Sequence, residues 1–88
     1  MKAVTIAAVL WLFFASSVSW ADWRADGHAG LDALNRGDYD TAIQLFSRVL
    51  ADASLTQNNR AKGHYNRGVA YLDKGLYDQA IADYTEAL

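Results

Sequence analysis

The side chains with catalytic or metal-binding chemistry are few in this chain: His28 and His64, a scatter of carboxylates, and Ser47 and Ser54. Asp22, Asp26 and His28 form the one local set that mixes oxygen and nitrogen donors. Their spacing matches no strong ligand pattern, and they read as solvated residues at a helix start. His64 lies on a different segment and reads as an amphipathic packing residue. Ser47 and Ser54 lack the neighbouring base that activates a hydroxyl for nucleophilic attack. Asp78, Asp83 and Glu86 read as the solvated face of a helix. With no cysteine, disulfides, thiolate zinc sites and thiol catalysis are all excluded. There is no strand pattern and no glycine-rich phosphate loop. The sequence therefore offers no catalytic residue, no metal site and no cofactor, and points to a protein that binds and does not catalyse.

Charge narrows the partner. The formal net charge is −2, and loss of Lys2 makes the remainder one unit more negative. Acidic and basic residues are interspersed, as in Arg36, Asp38, Asp40, Arg48, Asp52, Arg60 and Lys62, so no basic stripe exists for nucleic acid. A protein or peptide partner remains.

Residues 1–21 have the order of a secretory leader. Lys2 gives one positive charge, Ala3 to Phe14 is apolar apart from Thr5, and Ser19 and Ala21 are small residues before a cut. The apolar run is short for a membrane span, which takes about 20 residues. The expectation is export to the periplasm or the outside, with no stable membrane insertion after cleavage. An uncleaved anchor is the alternative.

The elements beyond the leader are helical and repeat. No proline interrupts the chain. Gly37-Asp38-Tyr39-Asp40-Thr41-Ala42-Ile43 matches Gly75-Leu76-Tyr77-Asp78-Gln79-Ala80-Ile81 at an offset of 38 residues. The register extends to Gly30 with Gly68, Phe46 with Tyr84, and Leu50 with Leu88. Each unit reads as a first helix closed by a glycine, then a second helix from about Tyr39 to Asp52 or from Tyr77 onward. Gly37 and Gly75 suit the left-handed closing position, and Asp38 suits a cap. Ala42, Ile43, Phe46, Val49 and Leu50 form one apolar stripe, repeated by Ala80, Ile81, Tyr84, Ala87 and Leu88. Gly30 and Gly68 lie mid-helix, where glycine costs up to about 1 kcal/mol against alanine, so close backbone approach is expected there, with Ala42 and Ala80 as the matching small positions.

The second unit, with Gly68-x-x-Tyr71, Gly75-x-Tyr77 and Ala80-x-x-x-Tyr84-x-x-Ala87, resembles the tetratricopeptide repeat. The first is similar through Gly30, Gly37, Tyr39, Ala42 and Phe46, but has Ala33 and Val49 where the family usually has tyrosine and alanine. The resemblance covers residues 23–88. It implies an all-α fold of two antiparallel helix pairs, stacked as a short right-handed α-solenoid. Residues 22–88 form one repeat domain, with repeat one over about 23–56 and repeat two over 61–88. The offset exceeds the family period of about 34 residues, and the excess is expected as a longer loop over Ser54 to Arg60, with Thr56, Asn58 or Asn59 starting the next helix.

In this family the first helices line a concave face that holds peptides. By position, that resemblance implies a binding face of Arg24, Gly27, Leu31, Leu34 and Asn35 in repeat one and Lys62, Tyr65, Asn66, Val69, Leu72 and Asp73 in repeat two. Asn66 matches one asparagine of a carboxylate-clamping subset, but Gly27 and Leu31 stand where that clamp has lysine and asparagine, so no clamp is expected. The expected role is a protein-interaction scaffold or adaptor in the cell envelope. The alternatives are a self-associating structural module and an accessory piece of a longer multi-repeat or enzyme-linked protein. Leu88 falls within an apolar stripe; either the repeat array continues, or the last helix pairs with another copy or a client. Tyr65→Ala with Leu72→Ala is expected to abolish client capture while the circular dichroism spectrum stays helical; capture by the folded double variant would remove these positions from the site.

Overall fold

The computed structural model describes residues 22–88; the leader expected over residues 1–21 lies outside the described residues. Four helices follow one another: α1 (Trp23–Asn35), α2 (Tyr39–Leu50), α3 (Gln57–Lys74) and α4 (Tyr77–Ala87). No strand occurs among the described residues. The fold is all-α, with α1 packed on α2, α3 packed on α4, and α2 against α3 joining the two pairs.

Local chemistry explains where each helix starts and stops. Asp22 accepts from the Arg24 N–H at 3.1 Å, Asp38 from Thr41 N–H at 3.4 Å, and Thr56 from Asn59 N–H at 3.3 Å. Each oxygen satisfies a backbone donor that the first turn leaves free. At the other end Gly37 and Gly75 take φ of 77° and 89°, the left-handed region open to glycine. The Asp38 N–H then reaches the Ala33 carbonyl and the Leu76 N–H reaches that of Tyr71, both at 2.8 Å. The two turns are the same helix-closing motif displaced by the repeat offset.

The extra residues of the long period are not all loop. α3 begins at Gln57, capped by Thr56, so Gln57 to Arg60 form an additional helical turn. Only Ala51 to Thr56 connect the pairs. Arg60 is the reason this turn is anchored: its guanidinium donates to the Leu50 carbonyl at 2.9 Å and the Asp52 carbonyl at 3.4 Å. A cation thus closes the carbonyl end of α2. Asp52 in turn accepts from both the N–H and the hydroxyl of Ser54, at 2.9 and 2.7 Å.

Helix spacing is set by glycine against bulky side chains. A methyl group on Gly30 would stand 2.7 Å from the Phe46 ring, and one on Gly68 would stand 2.9 Å from the Tyr84 ring. The small residue of each first helix therefore meets an aromatic ring, and not the alanine that pattern alone suggested. Ala42 and Ala80 are buried as well, one turn earlier on the second helices. Gly63, which the repeat pattern did not mark, does the same work between pairs, where an added methyl would meet Leu50 at 2.9 Å. The central cluster is Ala33, Ala42, Phe46 and Ala70, with Leu34 and Ile43 packed against it.

The repeat positions are equal in sequence but not in burial. Tyr39 is half-buried and Tyr77 is 63% exposed; Ile43 is half-buried and Ile81 is 62% exposed. Ile43 packs against the central cluster, which includes Ala70 of α3, whereas α4 has no further helix packed on it among the described residues.

Gly27 and Gly30 sit on the same helix, with open space at the first and a ring at the second. Gly27→Ala is expected to stabilise by about 0.5–1 kcal/mol through helix propensity. Gly30→Ala is expected to destabilise by about 1 kcal/mol net, because overpacking the buried Phe46 ring outweighs the same propensity gain. Urea-unfolding midpoints that move in opposite directions would establish this spacing rule; a rise for both would refute it.

Candidate functional site

A groove of ≈ 420 Å³ runs between the first helices α1 and α3. Its floor is Phe46 and Val49 of α2, both buried. One wall is Trp23, Arg24, Gly27, His28 and Leu31 of α1, and the other is Asn59, Lys62, Gly63 and Asn66 of α3. The lining is mostly apolar by area, with polar groups at the rim, as suits a segment that buries side chains and hydrogen-bonds at its edges. It contains two cations and no carboxylate. Arg24 lies over the Trp23 ring, 4.5 Å from its centroid, and reaches Asp22 at 3.6 Å.

A second groove of ≈ 610 Å³ is lined by Asn58, Ala61, Lys62, Tyr65, Asn66, Tyr84, Ala87 and Leu88. Shifted by the repeat offset, its Ala61, Lys62, Tyr65, Asn66, Tyr84 and Ala87 fall on Trp23, Arg24, Gly27, His28, Phe46 and Val49 of the first. The two grooves are thus one repeated feature. The first has a far wall in α3, and the second is open on that side. Tyr65 and Tyr84 stand with ring centroids 5.7 Å apart across its floor.

The residues expected to bind divide accordingly. Arg24, Gly27, Leu31, Lys62 and Asn66 are brought together in the first groove, and Tyr65 joins Lys62 and Asn66 in the second. Leu72, Asn35 and Asp73 are exposed but line neither groove. Leu34 packs against the central cluster, and Val69 is half-buried. Trp23, His28, Asn59 and Gly63 line the first groove without having been marked in the sequence. The signal for His28 was its register with Asn66, four residues after Arg24 as Asn66 is four after Lys62. The donors once considered for a metal are otherwise engaged: Asp22 caps α1, and Asp26 pairs with Arg48 at 3.3 Å.

Asp83 corrects the reading of α4's carboxylates as a solvated face. It is 3% exposed. Its carboxylate accepts from Arg67 Nε and a terminal guanidinium nitrogen, both at 2.8 Å, and from His64 Nδ1 at 2.9 Å. Arg67 also donates to the Ser47 hydroxyl at 3.0 Å. Four side chains on α2, α3 and α4 thus form one network. Burial pushes the Asp83 carboxyl up, but the hydrogen bonds from Arg67 and His64 push it down further, so it sits below the ordinary carboxylate value. The ionised carboxylate only accepts, which places a proton on His64 Nδ1. The hydrogen bond to Asp83 holds the Arg67 guanidinium above its ordinary value against the opposing effect of burial. Asp83 follows Ala80 by three residues and precedes Ala87 by four, so the apolar periodicity itself marked its position as inward.

Residues 61–88 match the family described as tetratricopeptide repeat. That segment covers α4 and all of α3 beyond its extra first turn. No curated protein and no solved structure matches the chain. Tetratricopeptide repeats generally mediate protein–protein interaction.

Removing Asp83 leaves two inward-facing donors unpaired. Asp83→Ala is expected to cost about 3 kcal/mol at neutral pH. A depressed folded pKa contributes stability that is present above the unfolded carboxylate value, about 3.9, and is lost as pH falls through the lower folded value. The gap in stability between the native chain and the variant should therefore narrow on acidification. A gap that is constant from neutral to strongly acid pH, measured by urea unfolding, would show that the ion pairs are not its source.

Proposed function

We propose that this chain is a non-catalytic interaction scaffold that holds a peptide or protein segment in the groove between α1 and α3. The observation that carries the reading is the composition of that groove: an apolar floor of Phe46 and Val49, an exposed Leu31 beside it, and Arg24 and Lys62 with no acidic side chain in the lining. Such a surface suits a segment that lays an apolar side chain on the floor and brings a carboxylate to the cationic rim. Asn59 and Asn66 supply donors and acceptors for the backbone of an extended segment. Tyr65 extends the same face into the second groove. The same proposal places the scaffold in the cell envelope or outside the cell, supported by the leader-like composition of residues 1–21. No helix of the described residues is long and apolar enough to cross a membrane.

The test is a selection of peptides from a random library on the full chain, followed by titration against groove variants. Selected peptides are expected to carry an acidic residue next to a large apolar one. Lys62→Glu is expected to weaken their binding about tenfold, equivalent to about 1.4 kcal/mol, and Leu31→Ala by a similar factor. Binding should also fall with added salt, because the charged rim is exposed. Peptides that bind both variants as well as the native chain would place the site elsewhere.

A further inference from the structure

The basic side chains of the α1–α3 groove are not equally available to a ligand. Arg24 lies over the Trp23 ring, 4.5 Å from its centroid, and its guanidinium is 3.6 Å from the Asp22 carboxylate. It also acts on Asp52, whose carboxyl is held below its ordinary value first by hydrogen bonds from Ser54 and, more weakly, by the charges of Arg24 and Arg60. Two carboxylates therefore share the Arg24 charge. Lys62, on the opposite wall, forms no ion pair among the described residues.

The repeat sets a third group beside these two. α1 presents Arg24 and, four residues on, His28; α3 presents Lys62 and, four residues on, Asn66, and all four line the groove. Each wall thus carries a cation and, one turn along, a polar side chain. Asn66 is the fixed member, since an amide takes no charge. His28 is the variable one, because imidazole gains and loses its charge between about pH 5 and 8. His28 is exposed and in no ion pair among the described residues, whereas His64 is held on the buried Asp83 at 2.9 Å. The surroundings of His28 come from three helices. On α1, Arg24 lies one turn before it; Asp32, one turn after, is exposed and outside the lining, and Asp26 is engaged by Arg48 at 3.3 Å. α2 brings Phe46 and Val49 to the floor and no titratable group. α3 brings Lys62 between two asparagines and no carboxylate.

On the reading that the α1–α3 groove holds the partner segment, we propose that His28 makes its affinity for an acidic segment depend on pH. Protonation adds a positive charge to the wall whose arginine is already shared, so acidic segments bind more tightly as pH falls. The sign follows from linkage. Aspartate and glutamate ordinarily take up a proton only near about pH 4, so a ligand carboxylate stays ionised down to about pH 5.5. It favours the charged imidazole, and the charged imidazole favours the ligand to the same extent. The rim is exposed and screened, which keeps the effect to a few-fold.

The probe is a selected peptide with glutamate beside leucine, amidated at its C-terminus so that no terminal carboxylate takes part. Its control has glutamine in place of each acid. Both are titrated into the full chain by fluorescence anisotropy at about pH 8 and about pH 5.5, at one ionic strength. The acidic peptide is expected to bind about fourfold more tightly at the lower pH, and the glutamine peptide equally at both. His28→Gln should give the weaker affinity at both pH values and His28→Lys the tighter one. The position is exposed, so both variants keep the fold, as circular dichroism would register. An affinity of the native chain that is flat with pH overturns the proposal, and so does a pH dependence that survives His28→Gln or extends to the glutamine peptide. Lys62→Glu separates this inference from the reading beneath it. An acidic peptide that this variant weakens but pH does not affect refutes the role of His28 and leaves the groove in place. A peptide that binds Lys62→Glu as well as the native chain lies outside the groove and refutes both.

Discussion

The distance between the two helices of each pair depends on one steric relation: a glycine on the first helix facing an aromatic ring on the second. Phe46 is 1% exposed and lies 2.7 Å from where a methyl on Gly30 would sit, and Tyr84 stands in the same relation to Gly68 at 2.9 Å. A helix that accepts glycine at its middle gives up close to 1 kcal/mol of propensity. It gains a backbone near enough for a whole ring to be buried, and burying a large side chain contributes about 1.5–3 kcal/mol. The exchange also fixes the floor of both grooves, because Phe46 and Tyr84 are the floor residues. The two grooves are therefore a by-product of how each pair closes.

Between pairs the relation is polar as well as steric. Gly63 admits Leu50, and beside it Ser47, Arg67, Asp83 and His64 run across three helices. Apolar packing alone permits a helix to slide or rotate by a fraction of a turn. A bidentate arginine on a buried carboxylate does not, since two parallel hydrogen bonds fix both distance and orientation. No inward side-chain nitrogen or oxygen among the described residues is left without a partner, so the network carries no desolvation penalty from an unmet group. Its effect on function is indirect: Arg67 and His64 lie on the helix that presents Lys62 and Asn66 to the groove.

Much of this was legible in the sequence because it is written twice. The register of Gly37 with Gly75 and Phe46 with Tyr84 identified the helix pairs and their closing turns. What escaped it belongs to one unit only. Asp83 stands opposite Leu45 of the first unit, Arg67 opposite Ala29, and Gly63 opposite Ala25, so a search for self-similarity discards all three. Asp83 was nevertheless in the inward phase of its helix, and an unexplained charge in that phase is a request for a partner. The extra turn of α3 was hidden for a different reason. Gln57-Asn58-Asn59-Arg60 has little apolar content, and only the Arg60 guanidinium on the α2 carbonyls shows why it is helical.

Equal sequence in unequal surroundings explains how a two-pair chain comes to have two kinds of surface. Ile43 and Ile81 are the same residue at the same phase of equivalent helices, yet one is covered and the other is mostly in water. Repeat architectures are stabilised by nearest-neighbour contacts, so a face is core or surface according to whether a neighbour is present. The α1–α3 groove needs both pairs to exist, because its walls come from one pair each and its floor from α2.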